Sequence, residues 1–389
     1  MQSTPKPEWD PRAEAVQADQ IKAYDAMRQR CPVAHSEYQH WSVFRHAETL
    51  AILEDHDTFS NRVSQHLSVP NGMDPPEHGR YRALIEPYFN AAALAEFAPK
   101  CQAIARQLVA ALPMQAEVEI VSRLSRPFAV QIQCAFMGWP ESLHEPLSRW
   151  VRDNHEATLA GDREAMAKVA ADFDALITAR LAERRQAGAA APDDVTTRLM
   201  AERIDGEPLG DDVLVSILRN WTVGELATIS ASVSIVIHYL AHHPALLARL
   251  KAGDEPLEAA LDEILRIDAP LISNRRVTTR AVDIGGQTLP PGERLTLLWA
   301  SANRDERVFG NPDAYRPAEN ARHNLLYGAG IHICPGAPLA RMELRHLFEA
   351  FLDRFSAVYL DETVRPERAR FPTGGFDRLQ VSLSSAPKV

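Results

Sequence analysis

The sequence lacks clusters of basic residues. Its 389 residues include 42 Lys and Arg against 52 Asp and Glu, which gives a formal net charge of −10. Proteins that bind nucleic acids neutralise phosphates with grouped Lys and Arg side chains. The chain contains neither a basic tract nor a run in which basic and aromatic residues alternate. We therefore expect no nucleic-acid partner.

Cysteine is scarce and widely spaced. The four cysteines, Cys31, Cys101, Cys134 and Cys334, form no Cys-x-x-Cys pair. This spacing excludes a zinc knuckle and a disulfide framework, and it is typical of a protein in a reducing compartment.

Long apolar runs are lacking as well. The N-terminal segment MQSTPKPEWDPRAEA is polar and has no apolar centre of a signal peptide. The most apolar stretch, residues 226–241, is interrupted by three serines and His238. It therefore falls short of the ~20 apolar residues of a membrane span. These features predict a cytoplasmic protein that does not enter a membrane.

Composition and periodicity predict a mainly helical fold. Apolar residues make up 46% and charged residues 24% of the chain, ordinary values for a folded soluble protein. Helical periodicity prevails over residues 78–250, short strands are expected within residues 276–298, and the tail after residue 374 resembles a closing hairpin. The length alone permits two domains, but no linker or repeat divides the chain. We predict one domain over residues 1–389, mainly α with minor β.

Two segments of this fold stand out. Residues 211–243 form an uninterrupted helical candidate, with two aspartates at its start and Pro244 just past its end. A helix of that length would run ~50 Å, which predicts a central, buried element. Residues 59–76 have little periodicity and contain several turn signals. A loop this long inside a compact domain usually has a function.

A glycine-rich segment around Cys334 carries the chemistry. It reads LYGAGIHICPG over residues 326–336, and its glycines allow a flat ligand to approach the backbone closely. Cys334 precedes a helix that we expect to begin near Pro338, whose positive end favours a thiolate. From these residues alone, Cys334 is a nucleophile, a metal ligand or a buried structural cysteine.

The run YGAGIHICPG resembles the haem-binding signature of the cytochromes P450. That signature is a glycine-rich loop with a basic residue two positions before the cysteine and a glycine two positions after it. The resemblance implies the cytochrome P450 fold, with the long helix over haem b (iron protoporphyrin IX) and Cys334 as the thiolate ligand of its iron. It assigns haem contacts to Tyr327, Gly328, His332 and Gly336. Tyr327 stands where the family usually has Phe.

Other segments extend the resemblance. Glu263 and Arg266 match the family's Glu-x-x-Arg element, whose implied role is to lock the segment beneath the haem. The same spacing recurs at four other places, but only this copy lies on a predicted helix upstream of the strands and the cysteine loop. The triplet Asn303-Arg304-Asp305, familiar from bacterial members, falls between the two.

Four basic residues match haem-propionate partners in the family. His78 and Arg82 follow its His-x-x-x-Arg pattern, Arg276 opens the first strand after the Glu-x-x-Arg helix, and His332 belongs to the cysteine loop. Buried propionates would be costly without such partners. The resemblance therefore implies that these four side chains surround the propionates.

The long helix should carry the oxygen-activating residues. The family usually has two small residues, any residue, an acid and then Thr. One alignment places Gly224 at the first small position and Thr228 at the Thr, where it would hydrogen-bond dioxygen and help to deliver protons. A shift by one residue instead places Leu226 at the acid and Ala227 at the Thr. We prefer the first alignment, in which Ala227 replaces the acid.

Glu225 lies beside this missing acid. It is three residues before Thr228, hence on a neighbouring surface of the helix. Glu225 or a water chain could therefore substitute for the acid in proton delivery. The alternative is that Glu225 is a salt-bridged structural residue.

The implied function is a haem-thiolate monooxygenase. It would insert one oxygen atom from dioxygen into a small or medium hydrophobic substrate, by hydroxylation or O-dealkylation. The expected pocket is lined by residues 59–76, 150–180, 223–228, 271–273 and 375–376. The alternatives are a peroxide-driven haem peroxygenase, which Ala227 encourages, and a non-catalytic haem sensor or carrier of a gas.

Electrons would come from a redox partner. Segments such as RCPVAHSEYQHWSVFRHAETL resemble haem domains of bacterial self-sufficient P450s, whose flavin and iron–sulfur reductase is fused downstream. The sequence has no flavin-binding stretch and no plant-type four-cysteine motif. We therefore expect either a ferredoxin with its reductase or a fused reductase absent from this chain. Arg341 and Arg345 are candidates for docking an acidic ferredoxin-like partner.

Overall fold

The computed structural model describes residues 8–361, 363–371 and 373–385. The first half of the polar N-terminal segment, residues 1–7, lies outside the described residues. The α-helices dominate the described part, and their bounds are α1 (Glu14–Ala18), α2 (Gln20–Arg30), α3 (His46–Glu54), α4 (Glu77–Ile85), α5 (Ala91–Ala110), α6 (Arg126–Met137), α7 (His144–Ala160), α8 (Arg163–Ala187), α9 (Val195–Ala201), α10 (Asp211–His242), α11 (Pro244–Ala252), α12 (Leu257–Ile267), α13 (Trp299–Ala302), α14 (Glu306–Phe309), α15 (Pro317–Asn320) and α16 (Ala337–Arg354).

The strands are short, and their bounds are β1 (Val33–Ser36), β2 (His40–Val43), β3 (Phe59–Ser60), β4 (Glu117–Glu119), β5 (Arg203–Ile204), β6 (Glu207–Pro208), β7 (Ser273–Thr278), β8 (Val282–Ile284), β9 (Gln287–Leu289), β10 (Arg294–Leu298), β11 (Ala357–Leu360), β12 (Glu367–Arg368), β13 (Phe376–Arg378) and β14 (Gln380–Ser384). The largest sheet has the order β1-β2-β10-β7-β3. In it β10 runs parallel to β2, and the other neighbours are antiparallel.

The C-terminal tail contains a hairpin, but the last strand is not part of it. Strands β12 and β13 pair antiparallel across the connection that contains Gly374 and Gly375, whereas β14 pairs with β11 and with β4. The prediction was wrong for residues 380–383, because the alternation of a short strand reveals which face is buried but not which distant strand it joins.

The long helix α10 confirms the prediction for residues 211–243, and it ends one residue earlier. Asp211 and Asp212 lie in its first turn, and the next helix begins at Pro244. Its middle is buried against α6, α8, α12 and α16. By length and composition α10 could cross a membrane, but 56% of its most apolar window is buried inside the fold, as in the core helix of a soluble protein.

The apolar core is divided between the helices and the large sheet. The main cluster surrounds α10 and includes Phe128, Ile235, Ile264 and Phe348. A smaller cluster lies between the five-stranded sheet and α3, around Ile52. The elements that carry chemistry-bearing residues, α4, α10, β7 and the segment before α16, converge between the two clusters.

A buried ion pair anchors the chain that leads into the cysteine loop. Glu263 and Arg266 on α12 are 2% and 0% exposed, and their side chains form two hydrogen bonds of 2.8 and 2.9 Å. Arg266 also donates to the carbonyl of Asn303 at 2.7 Å. The side chain of Asn303 in turn accepts from the backbone N–H of Leu325, just before the glycine-rich segment.

The carboxylate of Glu263 accepts two further hydrogen bonds. Its carboxylate accepts the backbone N–H of Arg316 at 2.9 Å and the side-chain amide of Asn320 at 2.6 Å. A buried carboxylate with this many donors satisfies the requirement that buried charges be paired and hydrogen-bonded. The pair therefore fixes the path of the segment between α14 and the cysteine loop.

Replacement of Glu263 by Ala should lower the free energy of unfolding by about 3–5 kcal/mol, because it leaves the Arg266 charge buried and unpaired. The matched control is Glu319→Ala, which removes the exposed i,i+3 pair with Arg316 and should change stability by less than about 0.5 kcal/mol. Urea unfolding of both variants measures the difference. Equal effects would contradict the anchoring role.

Candidate active site

A cavity of about 320 Å³ lies between α10 and the cysteine loop. Its lining is mostly apolar and comes from distant parts of the chain, from Leu53 to Leu344. Cys334 lines it from the loop, and Gly224 and Thr228 line it from α10. The residues that the sequence singled out therefore meet at one internal space.

Backbone geometry presents Cys334 to this cavity. Gly328 and Gly330 have φ values of +77° and +68°, which favour glycine. The N–H of Cys334 donates to the carbonyl of Tyr327 at 2.8 Å and closes the loop. An added Cβ at Gly330 would overlap the carbonyl oxygen of Leu53 on α3. The left-handed backbone of the loop thus favours glycine, and the loop packs closely against α3.

The environment of the Cys334 sulfur suits a metal ligand better than a free nucleophile. Burial raises the pKa of the thiol, and the backbone N–H groups of Gly336 and Ala337 at the start of α16 act against this rise. A nearby metal cation is what deprotonates a coordinating thiol outright. The other three cysteines are buried structural side chains.

Tyr327 is anchored through its hydroxyl. Its side chain is hydrogen-bonded to the carboxylate of Asp262, and the guanidinium of Arg341 lies 4.5 Å from the centre of its ring. Arg341 also donates to Asp262 at 2.9 Å. This network on the side of the loop facing α12 accounts for a tyrosine where Phe is usual, because the hydroxyl has a partner.

Three of the four predicted propionate partners lie together, near the carboxylate of Asp74. The rings of His78 and His332 are 4.2 Å apart, and in the described part of the chain neither Nε2 has a hydrogen-bond partner although both are buried. Arg276 is 5% exposed. Burial lowers its pKa to about 10, and burial together with His78 and Arg276 lowers the pKa of His332 to about 3.

Such a cluster is costly by itself and fits a ligand with carboxylates. Unpaired buried donors lose their hydration without compensation, and an anionic group between them would remove that cost. The residues present therefore fit the propionate end of haem.

Arg82 has different partners. Its Nε donates to Glu86 at 2.8 Å, and its NH1 donates at 2.6 Å to the carbonyl of Ile333, the residue before Cys334. The side chain does not line the cavity. In this structure Arg82 holds the cysteine loop, and its contact with a propionate stays a prediction.

The geometry of α10 favours the first of the two alignments. The Thr228 hydroxyl donates to the carbonyl of Gly224 at 2.6 Å, and both residues face the cavity. A Cβ added to Gly224 would meet no described atom within 4 Å, so the backbone is open there. Leu226 is 2% exposed, and together with Ala227 it faces a second, smaller cavity.

Glu225 forms no salt bridge with the residues that the structure describes, which disfavours the salt-bridged alternative. Its carboxyl faces the carboxyl of Glu343 on α16, and no basic partner of Glu225 is present in residues 8–361, 363–371 or 373–385. Burial raises the pKa of Glu225 to about 7 and raises that of Glu343 as well. Sequence reasoning missed Glu343, because only the packing of α16 on α10 brings the two carboxyl groups together.

The expected substrate pocket is divided in the structure. The loop at residues 59–76 contributes Asn61 and Asn71 to the main cavity. Residues of α7, including Trp150, and the turn at Phe376 instead line a second cavity of about 120 Å³ on another side of α10.

Comparison with known proteins places the chain in a family. It is 32% identical to the cyclomarin C epoxidase CymV of Salinispora arenicola, over 85% of this chain and 88% of that protein. The chain belongs to the cytochrome P450 family. The cytochrome P450 family model matches residues 255–379, which include both the Glu263–Arg266 pair and Cys334.

Further P450s agree in sequence and fold. The erythromycin C-12 hydroxylase of Saccharopolyspora erythraea is 30% identical over 86% of this chain and 87% of that protein. The structure of a mutant of P450 EryK in complex with erythromycin B superposes with a TM-score of 0.86 at 28% identity and covers 96% of this chain and 98% of that chain. The predicted P450 fold, mainly α with minor β, is confirmed.

The family membership establishes the general activity. The protein is a bacterial cytochrome P450, a haem b-dependent monooxygenase that acts on an organic substrate and depends on a redox partner. The comparisons favour neither the peroxygenase nor the gas carrier.

Replacement of Gly330 by Ala tests the close packing of the cysteine loop on Leu53 separately from the cost of its left-handed backbone. Gly161 has a left-handed backbone, with φ +66° and ψ +21°, and no described atom within 4 Å of an added Cβ, so Gly161→Ala costs only the left-handed backbone, about 1–2 kcal/mol. Gly330→Ala adds the overlap with Leu53, about 1–3 kcal/mol more. We expect weaker haem retention only in Gly330→Ala. Equal unfolding midpoints and haem contents would refute the close packing on α3.

Proposed function

We propose that Cys334 is the thiolate ligand of the haem iron and that the haem occupies the cavity between α10 and the cysteine loop. The observation that supports this most strongly is the convergence of Cys334, the Gly224–Thr228 face and the buried cluster of His78, His332 and Arg276. No other predicted role of Cys334 accounts for that cluster.

The basic cluster would hold the haem propionates. His332 and Arg276 line the cavity, and the ring of His78 lies 4.2 Å from the ring of His332. Arg82 would contribute by fixing the carbonyl of Ile333 through its NH1 group and by donating to a propionate through its other terminal nitrogen. Tyr327, Gly328 and Gly336 would contact the haem from the cysteine loop, where the glycines leave room for a flat ring.

When bound, thiolate-ligated haem supplies the dioxygen activation and the oxidising power for inserting one oxygen atom into the substrate. The chain would supply position and protons. Gly224 leaves the backbone of α10 open for dioxygen, and the hydroxyl of Thr228, held by the Gly224 carbonyl, is placed to pass protons at its Oγ1 atom. The mostly apolar walls keep water away from the substrate.

The substrate would be a small or medium hydrophobic compound that is hydroxylated or O-dealkylated. The main cavity supports this, because apolar side chains such as Phe89, Phe136 and Leu265 dominate its lining. Asn61 and Asn71 are the polar groups offered by the loop at residues 59–76, and they would orient one polar end of the substrate.

The electron donor would be a ferredoxin with its reductase or a fused flavin and iron–sulfur reductase. The docking role of Arg341 and Arg345 has little support, because Arg341 is paired with Asp262 and Arg345 with Glu258 and Glu349. We further propose that the chain forms a single haem domain, since the cavity draws on residues from Leu53 to Leu344. We also propose that this domain works in the cytoplasm.

Replacement of Arg276 by Gln should speed haem loss about 10- to 100-fold, because a charge-assisted hydrogen bond to a propionate contributes about 1.5–3 kcal/mol. Arg275→Gln, the same charge change on an exposed neighbour in β7, is the matched control and should leave the rate unchanged. Transfer of haem to apomyoglobin measures both rates. Identical rates of haem loss in the two variants would show that Arg276 does not bind a haem propionate.

Replacement of Thr228 by Ala should raise the hydrogen peroxide released per dioxygen consumed, because the hydroxyl that passes protons is lost. Thr228→Ser should restore coupling. Ser230→Ala is the control, since Ser230 faces the second cavity. The assay uses electron-fed enzyme with an organic ligand selected by its effect on the haem spectrum. Unchanged peroxide release in Thr228→Ala would contradict the role of Thr228.

A further inference from the structure

The second cavity lies on a side of α10 other than the one that meets the cysteine loop. Its volume is about 120 Å³, and its walls come from the start of α6 and the turn before it, from α7, from α10 and from the tail around Phe376. On α10 it is lined by Leu226, Ala227 and Ser230. Among the described residues, none lines both this cavity and the main one. A molecule in the second cavity would therefore contact none of the residues that line the cavity around Cys334.

The wall around Phe376 is fixed by close contacts. A Cβ added to Gly375, whose φ is +81°, would lie 2.9 Å from Cα of Ala231, so the turn packs directly on the backbone of α10. The ring of Phe376 contacts the guanidinium of Arg368, 4.6 Å from its centre, and the ring of His238, at 4.5 Å between centres. Small-molecule sites are usually largely preformed, and these contacts preform this one.

The inner walls of the second cavity are apolar. Five of its lining residues are at most 5% exposed, namely Val121, Val130, Leu226, Ala369 and Phe376. An apolar cavity of about 150 Å³ takes up a benzene molecule, so the second cavity is of the size that suits one six-membered ring or a short alkyl chain. Phe376 offers an aromatic neighbour, which favours the ring.

Charged side chains without close partners stand at the rim. Arg126 lines the cavity and is half-buried, and no ion pair or hydrogen bond joins its guanidinium to the described residues. Arg152 also lines the cavity, and its partner Glu145 is 3.7 Å away. Asp377, the acid among the described lining residues, forms no ion pair within 4 Å with either arginine. The rim therefore carries a net positive charge.

A carboxylate is the group that this rim would bind best. The N–H donors of a guanidinium match the two oxygens of a carboxylate, and hydrogen bonds between charged groups are stronger than those between neutral ones. The ring of His155 is already engaged, because its Nε2 donates to the carbonyl of Arg370 at 3.0 Å. Arg126, which is less exposed than Arg152, thus offers free donors beside the apolar walls.

We propose that the second cavity is a binding site for a small aromatic carboxylate, separate from the haem and substrate site. The ring would lie among the apolar walls, and the carboxylate would accept hydrogen bonds from Arg126, with Arg152 adding a second positive charge. Asp377 would oppose the anion and limit its affinity. Because the two cavities have no lining residue in common, this inference does not depend on the role of Cys334.

Binding of para-fluorobenzoate to the holoenzyme, followed by fluorine NMR of the ligand, tests the rim. Arg126→Gln should weaken binding about 10- to 100-fold, because a hydrogen bond between charged groups is lost. Arg123→Gln is the matched control, since Arg123 lies three residues earlier, is exposed and does not line the cavity, and it should leave the affinity unchanged. Asp377→Asn should tighten binding, because it removes the opposing charge.

Ligand chemistry and cavity filling give two further readouts. The alcohol and the amine, para-fluorobenzyl alcohol and para-fluorobenzylamine, lack the carboxylate and should bind more weakly than para-fluorobenzoate. Ser230→Leu should abolish binding of para-fluorobenzoate, because the larger side chain fills space beside α10. Tighter binding of the amine, or equal affinities of the wild type, Arg126→Gln and Asp377→Asn for para-fluorobenzoate, would overturn the carboxylate site. Neither of these results depends on the folding of Ser230→Leu.

The haem spectrum distinguishes the second cavity from the main one. Saturating para-fluorobenzoate should leave the absorption spectrum of the ferric holoenzyme unchanged, because no described residue lines both cavities. A spectral change that follows the binding curve and persists in Arg126→Gln would place the ligand in the main cavity and overturn the proposal. Absence of the thiolate spectrum in the wild type would instead refute the haem site, and it would not affect the binding measured by fluorine NMR.

Discussion

The buried Glu263–Arg266 ion pair is the constraint on which the active site depends. Both side chains are almost completely enclosed, and through Asn303 and Asn320 they hold the backbone that leads to residue 325. The network fixes the start of the glycine-rich loop, α16 follows its end, and Arg82 holds the carbonyl of Ile333 between them. The position of Cys334 therefore depends in part on a salt bridge in a different helix, whose charged groups do not line the cavity.

Polar groups in this fold separate into two classes. In the Glu263–Arg266 network and in the Tyr327–Asp262–Arg341 contact every charge has a partner, and these groups fix the backbone. In the His78–His332–Arg276 cluster the Nε2 atoms of both histidines have no hydrogen-bond partner among the described residues, and the same holds for both carboxyl oxygens of Glu343. Unsatisfied buried groups are costly, and the two histidine nitrogens lie beside the cavity that His332 and Arg276 line, where the carboxylates of a ligand would pair with them.

The sequence predicted the local elements well, because their signals are local. The periodicity and end signals of α10 gave its bounds to within one residue, and the motif at residues 327–336 identified the cysteine loop. The prediction for the last strand, β14, was wrong, since its partners lie far away in the chain. Glu343 gave no signal either: a lone Glu on an amphipathic helix reads as a solvated residue until α16 packs against α10. The choice between the two alignments of the Gly224–Thr228 motif required the structure, because only the packing shows which face of α10 meets Cys334.

The central claim is that Cys334 binds the haem iron as a thiolate. The most direct measurement is the absorption spectrum of the reduced, carbon monoxide-bound holoenzyme. Ligation by Cys334 predicts the thiolate-type Soret band in the wild type and in Cys31→Ala, a buried cysteine of the same chain, and its loss in Cys334→Ala. Absence of the band in the wild type, or its survival in Cys334→Ala, would show that Cys334 does not bind the iron as a thiolate.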